Sequence, residues 1–308
     1  PTVLGYLAAK TRSVTLAAGV LPVYSRSAAL IAQTAESLDQ LSGGRALLGL
    51  GTSGPQVVEG LHGVPFEQPL AHLRETIIVC RQAWAREQIG TVGGPRPVPL
   101  PPGRGTGQGK PLKLMGRPTR DRIPITIAAL RPGAVELAAE LAEGWYPIFF
   151  APEAASVWAD ALARGAARRD PSLGDLDIIA GMATAIGNED EIATAREAVR
   201  TELALYVGGM GSRRQNFYTE TVGRLGFADA AEQIQASFLA GDRAAATAAV
   251  PDELIQAVSL VGTPEQVVRR VDALREAGVS AIVVRSPGTD PEAMVQRLAP
   301  LLSGRAAL

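Results

Sequence analysis

The chain has 308 residues, of which 46% are hydrophobic and 20% charged, and its formal net charge is −1. This composition predicts a globular protein with a sizeable core, and the balanced charge argues against a nucleic-acid binder. One cysteine and two histidines exclude a disulfide framework and argue against a metal site. Neither a transmembrane stretch nor a signal peptide is visible. We therefore expect a cytoplasmic protein that binds no membrane and no metal.

Strand-like and helix-like segments alternate along the first 90 residues. Apolar residues at helical spacing predict a helix at 27–41, and the glycine pair 43–44 ends it as a left-handed cap does. A second helix is predicted at 69–84. Short apolar runs predict strands at 14–20 and 45–50.

Residues 91–122 interrupt this alternation. They contain seven prolines and seven glycines, a density that neither a helix nor a sheet tolerates. Seven basic residues and the single acidic residue Asp121 give this loop a charge of +7 − 1 = +6. It is either a loop kept in solution by its charge or a lid for an anionic ligand.

Alternation resumes after the loop. Strands are predicted at 124–129, 145–150, 177–186 and 280–284, and helices at 133–142, 152–168, 190–206, 264–277 and 291–302. Residues 207–258 are predicted to be mostly helical, as an insertion in a single domain that spans residues 1–308. Strands separated by helices imply a parallel sheet with helices outside it. Six strands fit either an open doubly wound sheet or a barrel that lacks two strands.

Gly49-Leu50-Gly51-Thr52-Ser53-Gly54 follows a predicted strand and matches the spacing of a dinucleotide fingerprint. The next strand comes too late for that fingerprint, and Glu75 falls inside a helix rather than at a strand end. Two interpretations remain: a turn whose amides hold a phosphate in another fold, and a glycine turn that only lets the chain leave the strand. The small residues after the strand at 124–129 fit either ligand binding or packing.

Other candidate residues have simpler structural interpretations. We expect Asp39 and Arg45 to form an ion pair across the glycine turn and Cys80 to be a core residue. His62 either lies in a surface loop, the preferred interpretation, or lines a pocket. No Ser-His-Asp order or paired-carboxylate motif is present, which argues against a hydrolase. Any chemistry would then belong to a bound cofactor.

Residues 38–55, LDQLSGGRALLGLGTSGP, resemble the signature of the luciferase-like monooxygenase family. They are most similar to the actinobacterial branch of oxidoreductases that uses coenzyme F420, a deazaflavin. Segments at 109–114, 123–150, 204–218 and 240–255 extend the resemblance over essentially the whole chain. The resemblance implies a (β/α)8 TIM barrel with its site at the carboxyl ends of the strands. It also implies a strand, a helix and a second strand ahead of Pro1, so the first two strands of the barrel are expected to be missing.

The resemblance further implies the cofactor-binding residues. Gly19 and Val20 match a non-prolyl cis peptide that supports the ring system. Gly51, Thr52, Ser53 and Gly54 match a turn on the phosphate side, and Ala128, Ala129 and Leu130 match a backbone phosphate contact. Some relatives have a phosphate-binding lysine after the next strand, where this chain has residues 149–152, FFAP. The catalytic acid or base of many relatives lies upstream of Pro1, so no catalytic residue is assigned.

The resemblance thus implies an enzyme that transfers a hydride between F420 and an organic small molecule, and that forms a homodimer. Two alternatives are an FMN-dependent monooxygenase and a non-catalytic flavin- or deazaflavin-binding protein. Hydride transfer to or from the deazaflavin needs no protein nucleophile, which agrees with the lack of one in the sequence.

Overall fold

The computed structural model describes residues 1–91, 93–287 and 290–302. It contains two compact units, each built from several stretches of the chain. Unit 1 comprises residues 1–128, 133–145 and 164–176. Unit 2 comprises residues 129–132, 146–163 and 177–308.

All strand pairings described between named strands are parallel. The strands are β1 (Leu16–Ala17), β2 (Leu21–Pro22), β3 (Ala46–Gly51), β4 (Ile125–Ala128), β5 (Gly144–Tyr146), β6 (Asp177–Ile186), β7 (Ser259–Gly262) and β8 (Val279–Arg285). Helices separate most of them along the chain, so the predicted α/β class is confirmed.

The helices in the first half are α1 (Thr2–Lys10), α2 (Ala28–Ser42), α3 (Pro55–His62), α4 (Pro69–Trp84), α5 (Pro132–Leu141) and α6 (Ala159–Ala166). Those in the second half are α7 (Glu189–Gly209), α8 (Phe217–Val222), α9 (Ala228–Leu239), α10 (Arg243–Ala248), α11 (Asp252–Val258), α12 (Pro264–Glu276) and α13 (Pro291–Leu302). A 3-10 helix at Pro152–Trp158 leads into α6, and a π-helical turn at Gly223–Phe227 joins α8 to α9. The helix predicted at 152–168 is therefore a 3-10 segment followed by a shorter α-helix.

Local sequence signals fix several helix ends. The Ser27 hydroxyl accepts a hydrogen bond from the Leu30 amide at the start of α2, and Gly43 ends that helix with φ +68°. Asn188 and Glu191 form a reciprocal capping box at the start of α7. The predicted left-handed cap at Gly43 is confirmed.

In unit 1, β3 pairs with β1 and β2 along one edge and with β4 along the other. Ala17 is opposite Leu47 and Leu21 is opposite Leu50, so four steps along the first strand face three steps along β3. One extra residue is the definition of a β-bulge. Of the strand predicted at 14–20, only β1 (Leu16–Ala17) is formed, and β2 (Leu21–Pro22), which was not predicted, follows the bulge.

In unit 2, β6 pairs with β8 through its first half and with β7 through its last four residues. The sequence analysis missed β7, because its four residues directly follow α11 with no turn residue between them. A buried apolar cluster that includes Phe149, Ala183 and Leu203 packs α7 against the helices of residues 217–258. These helices agree with the helical content predicted for that segment.

Within unit 1, both ends of the long loop are anchored by hydrogen bonds. The Glu75 carboxylate accepts a hydrogen bond from the Arg96 amide, and Gln40 donates to the Arg117 carbonyl. Arg120 pairs with the fully buried Asp39. Between these anchors, the side chains of Arg104, Lys110 and Lys113 are exposed.

The predicted ion pair between Asp39 and Arg45 is wrong. The Asp39 carboxylate instead pairs with Arg120, with Nη2 to Oδ1 at 2.5 Å and Nε to Oδ2 at 3.2 Å. The Arg45 guanidinium donates to the backbone carbonyls of Ala8, Thr11, Val14 and Ser42. Arg45 therefore satisfies carbonyl groups at the N-terminal end of the sheet, where no carboxylate is needed.

Candidate functional site

The first part of the candidate site is the bulge between β1 and β2. The Gly19–Val20 peptide bond is cis, which confirms that prediction. Gly19 is exposed, so its backbone is open to a ligand. A Cβ built on Gly51 would lie 2.8 Å from Val20 Cγ2, closer than Cβ atoms pack. Gly51 thus lets the Val20 side chain rest directly on β3.

Gly49, two residues earlier on β3, has the same function. A Cβ at this position would overlap the Ala18 carbonyl oxygen, far inside the 3.0 Å that real Cβ atoms keep. The spacing of the two glycines had suggested a phosphate-binding backbone. In the structure they allow the bulge to approach the sheet, and Gly49 is a site-supporting residue that the sequence analysis did not select.

The second part is the turn that leaves β3. Ser53 has a left-handed backbone with φ +59°, uncommon for a residue with a side chain. Gly54 is the N-cap of α3 and offers no side-chain cap, and Pro55 occupies the first position of the helix. A Cβ on Gly54 would meet nothing within 4 Å. The Val57 amide donates to the Gly54 carbonyl at 3.1 Å and Pro55 has no N–H, so this helix end offers an anion chiefly the positive end of its dipole.

The third part follows β4. Ala128 ends that strand, and its Cβ lies 3.9 Å from the position of a Cβ on Gly51. Unit 1 therefore brings Val20, Gly51 and Ala128 together at the carboxyl ends of neighbouring strands. The chain continues directly into Ala129 and Leu130, which precede α5 as predicted. Ala128 belongs to unit 1, whereas Leu130 and the buried Ala129 belong to unit 2, and the backbone contact predicted for these residues stays a prediction.

An aromatic cluster borders the same strand end, and the sequence analysis did not identify it. The Val23 amide donates to the Gly51 carbonyl at 3.0 Å, which places the next residue, Tyr24, beside the site. The Tyr24 ring lies 4.6 Å from the His72 ring, and its hydroxyl donates to the Glu67 carbonyl at 2.5 Å. Burial raises the pKa of Tyr24 to about 12, although the nearby Arg96 cation acts in the opposite direction.

The shifted pKa values of Tyr24 and His72 keep both side chains uncharged near neutral pH. Burial and, to a smaller extent, Arg96 lower the pKa of His72, so this imidazole stays neutral. Tyr24 and His72 therefore form an uncharged aromatic pair, and the buried face of α4 that contains His72 also holds Glu75 and Thr76, so it carries no distinct signal in the sequence.

The other candidates have structural roles. Glu75 binds the Arg96 amide with its carboxylate at 3.2 Å, which anchors the long loop and excludes the ribose contact of a dinucleotide site. Cys80 is fully buried, as predicted. His62 is the last residue of α3 rather than part of a surface loop, because the helix after Gly54 was not predicted.

Unit 2 contains a polar group at the ends of β5 and β8. The Arg285 guanidinium pairs with the Glu202 carboxylate, and the Tyr146 hydroxyl would lie 2.9 Å from a Cβ on Gly181. Burial raises the pKa of Tyr146, while the Arg285 cation lowers it to a smaller extent. Tyr146 is therefore a protonated phenol at neutral pH and can donate a hydrogen bond.

The described residues contain neither a candidate metal site nor a candidate membrane span. No three His, Cys, Asp or Glu side chains in this part of the chain are grouped so that they could hold a metal ion. In residues 1–91, 93–287 and 290–302, no helix combines the length and apolar character needed to cross a membrane.

Sequence comparisons identify relatives over nearly the whole chain. A Mycobacterium tuberculosis protein named "Putative coenzyme F420-dependent oxidoreductase" is 40% identical over 288 residues, which cover 92% of this chain and 82% of the relative. The 5,10-methylenetetrahydromethanopterin reductase of Archaeoglobus fulgidus is 30% identical over 302 residues, which cover 96% of this chain and 84% of the reductase.

The fold has solved counterparts. The coenzyme F420-dependent tetrahydromethanopterin reductase from Methanopyrus kandleri matches with a TM-score of 0.73 and 26% identity, over 99% of this chain and 86% of that one. This similarity agrees with the barrel class that the resemblance implied. The family described as luciferase-like monooxygenase matches residues 1–281. The chain belongs to the luciferase-like monooxygenase family.

Proposed function

We propose that this chain is a coenzyme F420-dependent oxidoreductase that transfers a hydride between the deazaflavin and an organic small molecule. The observation that carries the proposal is that a relative and a solved structure, each matching more than nine-tenths of the chain, are named for this cofactor. The proposal includes a cytoplasmic homodimer in which residues 1–308 act as one barrel domain. The family alone leaves an FMN-dependent monooxygenase as the alternative.

The residues present fit such a cofactor. The exposed Gly19 backbone and the Val20 side chain would support one face of the ring system. The helix that follows the turn Thr52–Gly54 begins without a side-chain cap, so the positive end of its dipole suits the anionic part of the molecule. In unit 1, Ala128 lies at the end of β4 beside Gly51, and the contacts predicted for Ala129 and Leu130 concern unit 2. When bound, the deazaflavin itself supplies the carbon that accepts or gives the hydride.

The protein's contribution is then binding, orientation and exclusion of water. The aromatic pair formed by Tyr24 and His72 is uncharged and buried, so it protects a bound ring from solvent without offering a competing proton. In unit 2, Tyr146 stays protonated because burial raises its pKa, and its hydroxyl can donate a hydrogen bond. No protein nucleophile is required.

Titration of the purified protein tests the proposal. F420 is expected to bind saturably at one molecule per chain, and FMN at least about tenfold more weakly, which corresponds to 1.4 kcal/mol. Quenching of cofactor fluorescence measures both affinities, and light scattering measures the oligomeric state. Tight binding of FMN without binding of F420 would instead support the monooxygenase alternative.

The long loop gives a second prediction within this proposal. Lys110, Lys113 and Arg117 are exposed, and F420 has a glutamate tail that these cations could meet. Replacing all three with Gln is expected to weaken F420 binding about tenfold and to flatten its salt dependence, because several exposed contacts act together. The form of the cofactor that lacks the glutamates should bind as before.

A variant with the same charge change provides the control. Lys10, Arg12 and Arg269 are also exposed, and replacing them with Gln should leave F420 affinity unchanged. If both triple variants lose affinity equally, net charge explains the effect. If neither does, the loop is kept in solution by its charge and binds no tail.

A further inference from the structure

The loop after β4 is held by side chains from the helical segment of residues 217–227. Arg224, in the π-helical turn, donates from Nη1 to the Leu130 carbonyl at 3.4 Å. The Arg131 guanidinium lies 5.5 Å from the centroid of the Phe217 ring. All of these residues belong to unit 2. The predicted backbone phosphate contact at Leu130 is therefore flanked by two cations from the same unit.

One carboxylate oxygen connects the two cations. Glu220 Oε2 lies 3.6 Å from Arg131 Nε and 3.9 Å from Arg224 Nη2. Two guanidinium groups share one carboxylate, so the group has a net charge of +1. The Arg131 side chain is 54% exposed and the Arg224 side chain 33% exposed. Both guanidinium groups therefore have N–H donors that a ligand from solvent can reach. Their distances to Glu220 Oε2 are long for ion pairs, so the pairing with Glu220 is weak.

The segment after β5 has no cation that could serve instead. Residues 147–152 contain no lysine or arginine, and Phe149 and Phe150 are buried. A phosphate at Ala129 and Leu130 needs positive charge, and a guanidinium fork matches phosphate geometry with two parallel hydrogen bonds. Arg224 already reaches the backbone of this loop.

We infer that Arg224, assisted by Arg131, binds the phosphodiester of the cofactor at the Ala129–Arg131 loop, and that Glu220 occupies the two guanidinium groups until the phosphodiester replaces it. This inference rests on the proposed function. It assigns a cofactor-binding role to the helical segment of residues 217–227.

Equilibrium binding to three ligands tests the inference. These are F420, its form without glutamates, and the ring-and-ribityl fragment without the phosphodiester. Arg224→Gln is expected to weaken binding of the first two by about tenfold, which is 1.4 kcal/mol, and to leave the fragment within about twofold of the wild type. Neutralising the long loop should affect only F420, so the two sites give different patterns.

Arg275→Gln is the matched control. Arg275 has a similar exposed fraction, 37%, and a similar salt bridge to Asp272 on its own helix, yet it lies in the last turn of α12. Its replacement should change none of the three affinities. Thermal unfolding followed by circular dichroism checks that each variant is folded. If Arg224→Gln does not fold, Arg131→Gln serves as the second variant.

Glu220→Gln separates ligand binding from mere positioning of the loop. If the carboxylate competes with the phosphodiester, its neutralisation should raise F420 affinity about threefold. Unchanged or lower affinity in Glu220→Gln would overturn direct contact and leave Arg224 as a positioning residue. Equal losses for all three ligands in Arg224→Gln, or no loss for any, would also overturn the inference. If the wild type binds none of the three ligands, the proposed function itself fails.

Discussion

Replacement of Arg120 by methionine is expected to lower the free energy of unfolding by about 3–5 kcal/mol, the cost of leaving a buried charge without its partner. Asp39 is fully buried, and Arg120 provides two hydrogen bonds to its carboxylate and one to the Ala46 carbonyl at 2.7 Å. Methionine retains most of the apolar stem but removes the charge. Urea unfolding followed by circular dichroism measures the loss.

An exposed pair in the same unit provides the control. Arg164 lies 2.8 Å from Glu136, and its side chain is 53% exposed, so Arg164→Met should cost less than about 1 kcal/mol. The double variant Asp39→Asn with Arg120→Met should recover part of the stability, because it removes the unpaired charge while an amide oxygen can still accept from the Ala46 amide. A loss below 1 kcal/mol in Arg120→Met would show that Asp39 does not depend on this cation.

The sequence could not predict this pair because its partners are 81 residues apart. Arg45 lies six residues after Asp39 and has the correct charge, so a local analysis selects it. The actual partner depends on the path of the loop at 91–122, whose prolines and glycines carry no periodic signal. Arg45 is directed to carbonyl groups that only the folded sheet brings near it.

Elements with strong local signals were predicted well. The bounds of α4 and β6 agree with the sequence to the residue, since α4 begins at a proline and β6 is a mostly apolar segment that ends before Gly187. In contrast, α1, α3 and β7 were missed. Each is nine residues or shorter, and α3 contains Gly60 and exposes most of its side chains, so its apolar periodicity is weak.

The sequence analysis selected residues 49–54 for one reason, and the structure gives a different reason for two of their glycines. The segment at 49–54 was selected for its glycine spacing, and the phosphate contact at Thr52–Gly54 stays a prediction, with α3 beginning there without a side-chain cap. Gly49 and Gly51, however, are required because the bulge at 18–20 lies so close to them, and glycine spacing alone cannot reveal that neighbour. Arg224 was not predicted either, because nothing local connects it with Leu130, 94 residues earlier.

Gly49→Ala is therefore expected to affect both stability and the site. Its Cβ would overlap the Ala18 carbonyl oxygen, which belongs to the backbone and cannot rotate away as a side chain would. The bulge would have to move off β3, at a cost of about 2–3 kcal/mol typical of overpacking. Because Gly19 and Val20 follow directly, we expect F420 affinity to fall by more than about tenfold. Urea unfolding and fluorescence titration measure the two effects.

Gly60→Ala is the matched control, because a Cβ at Gly60 would meet nothing within 4 Å. Gly60 is exposed inside α3, so alanine should raise stability by about 0.5–1 kcal/mol and leave F420 binding unchanged. Wild-type stability and affinity in Gly49→Ala would show that the bulge moves without cost. A loss of stability with normal F420 affinity would separate the packing of the bulge from cofactor binding, and the proposed ring contact at Gly19 and Val20 would then be wrong.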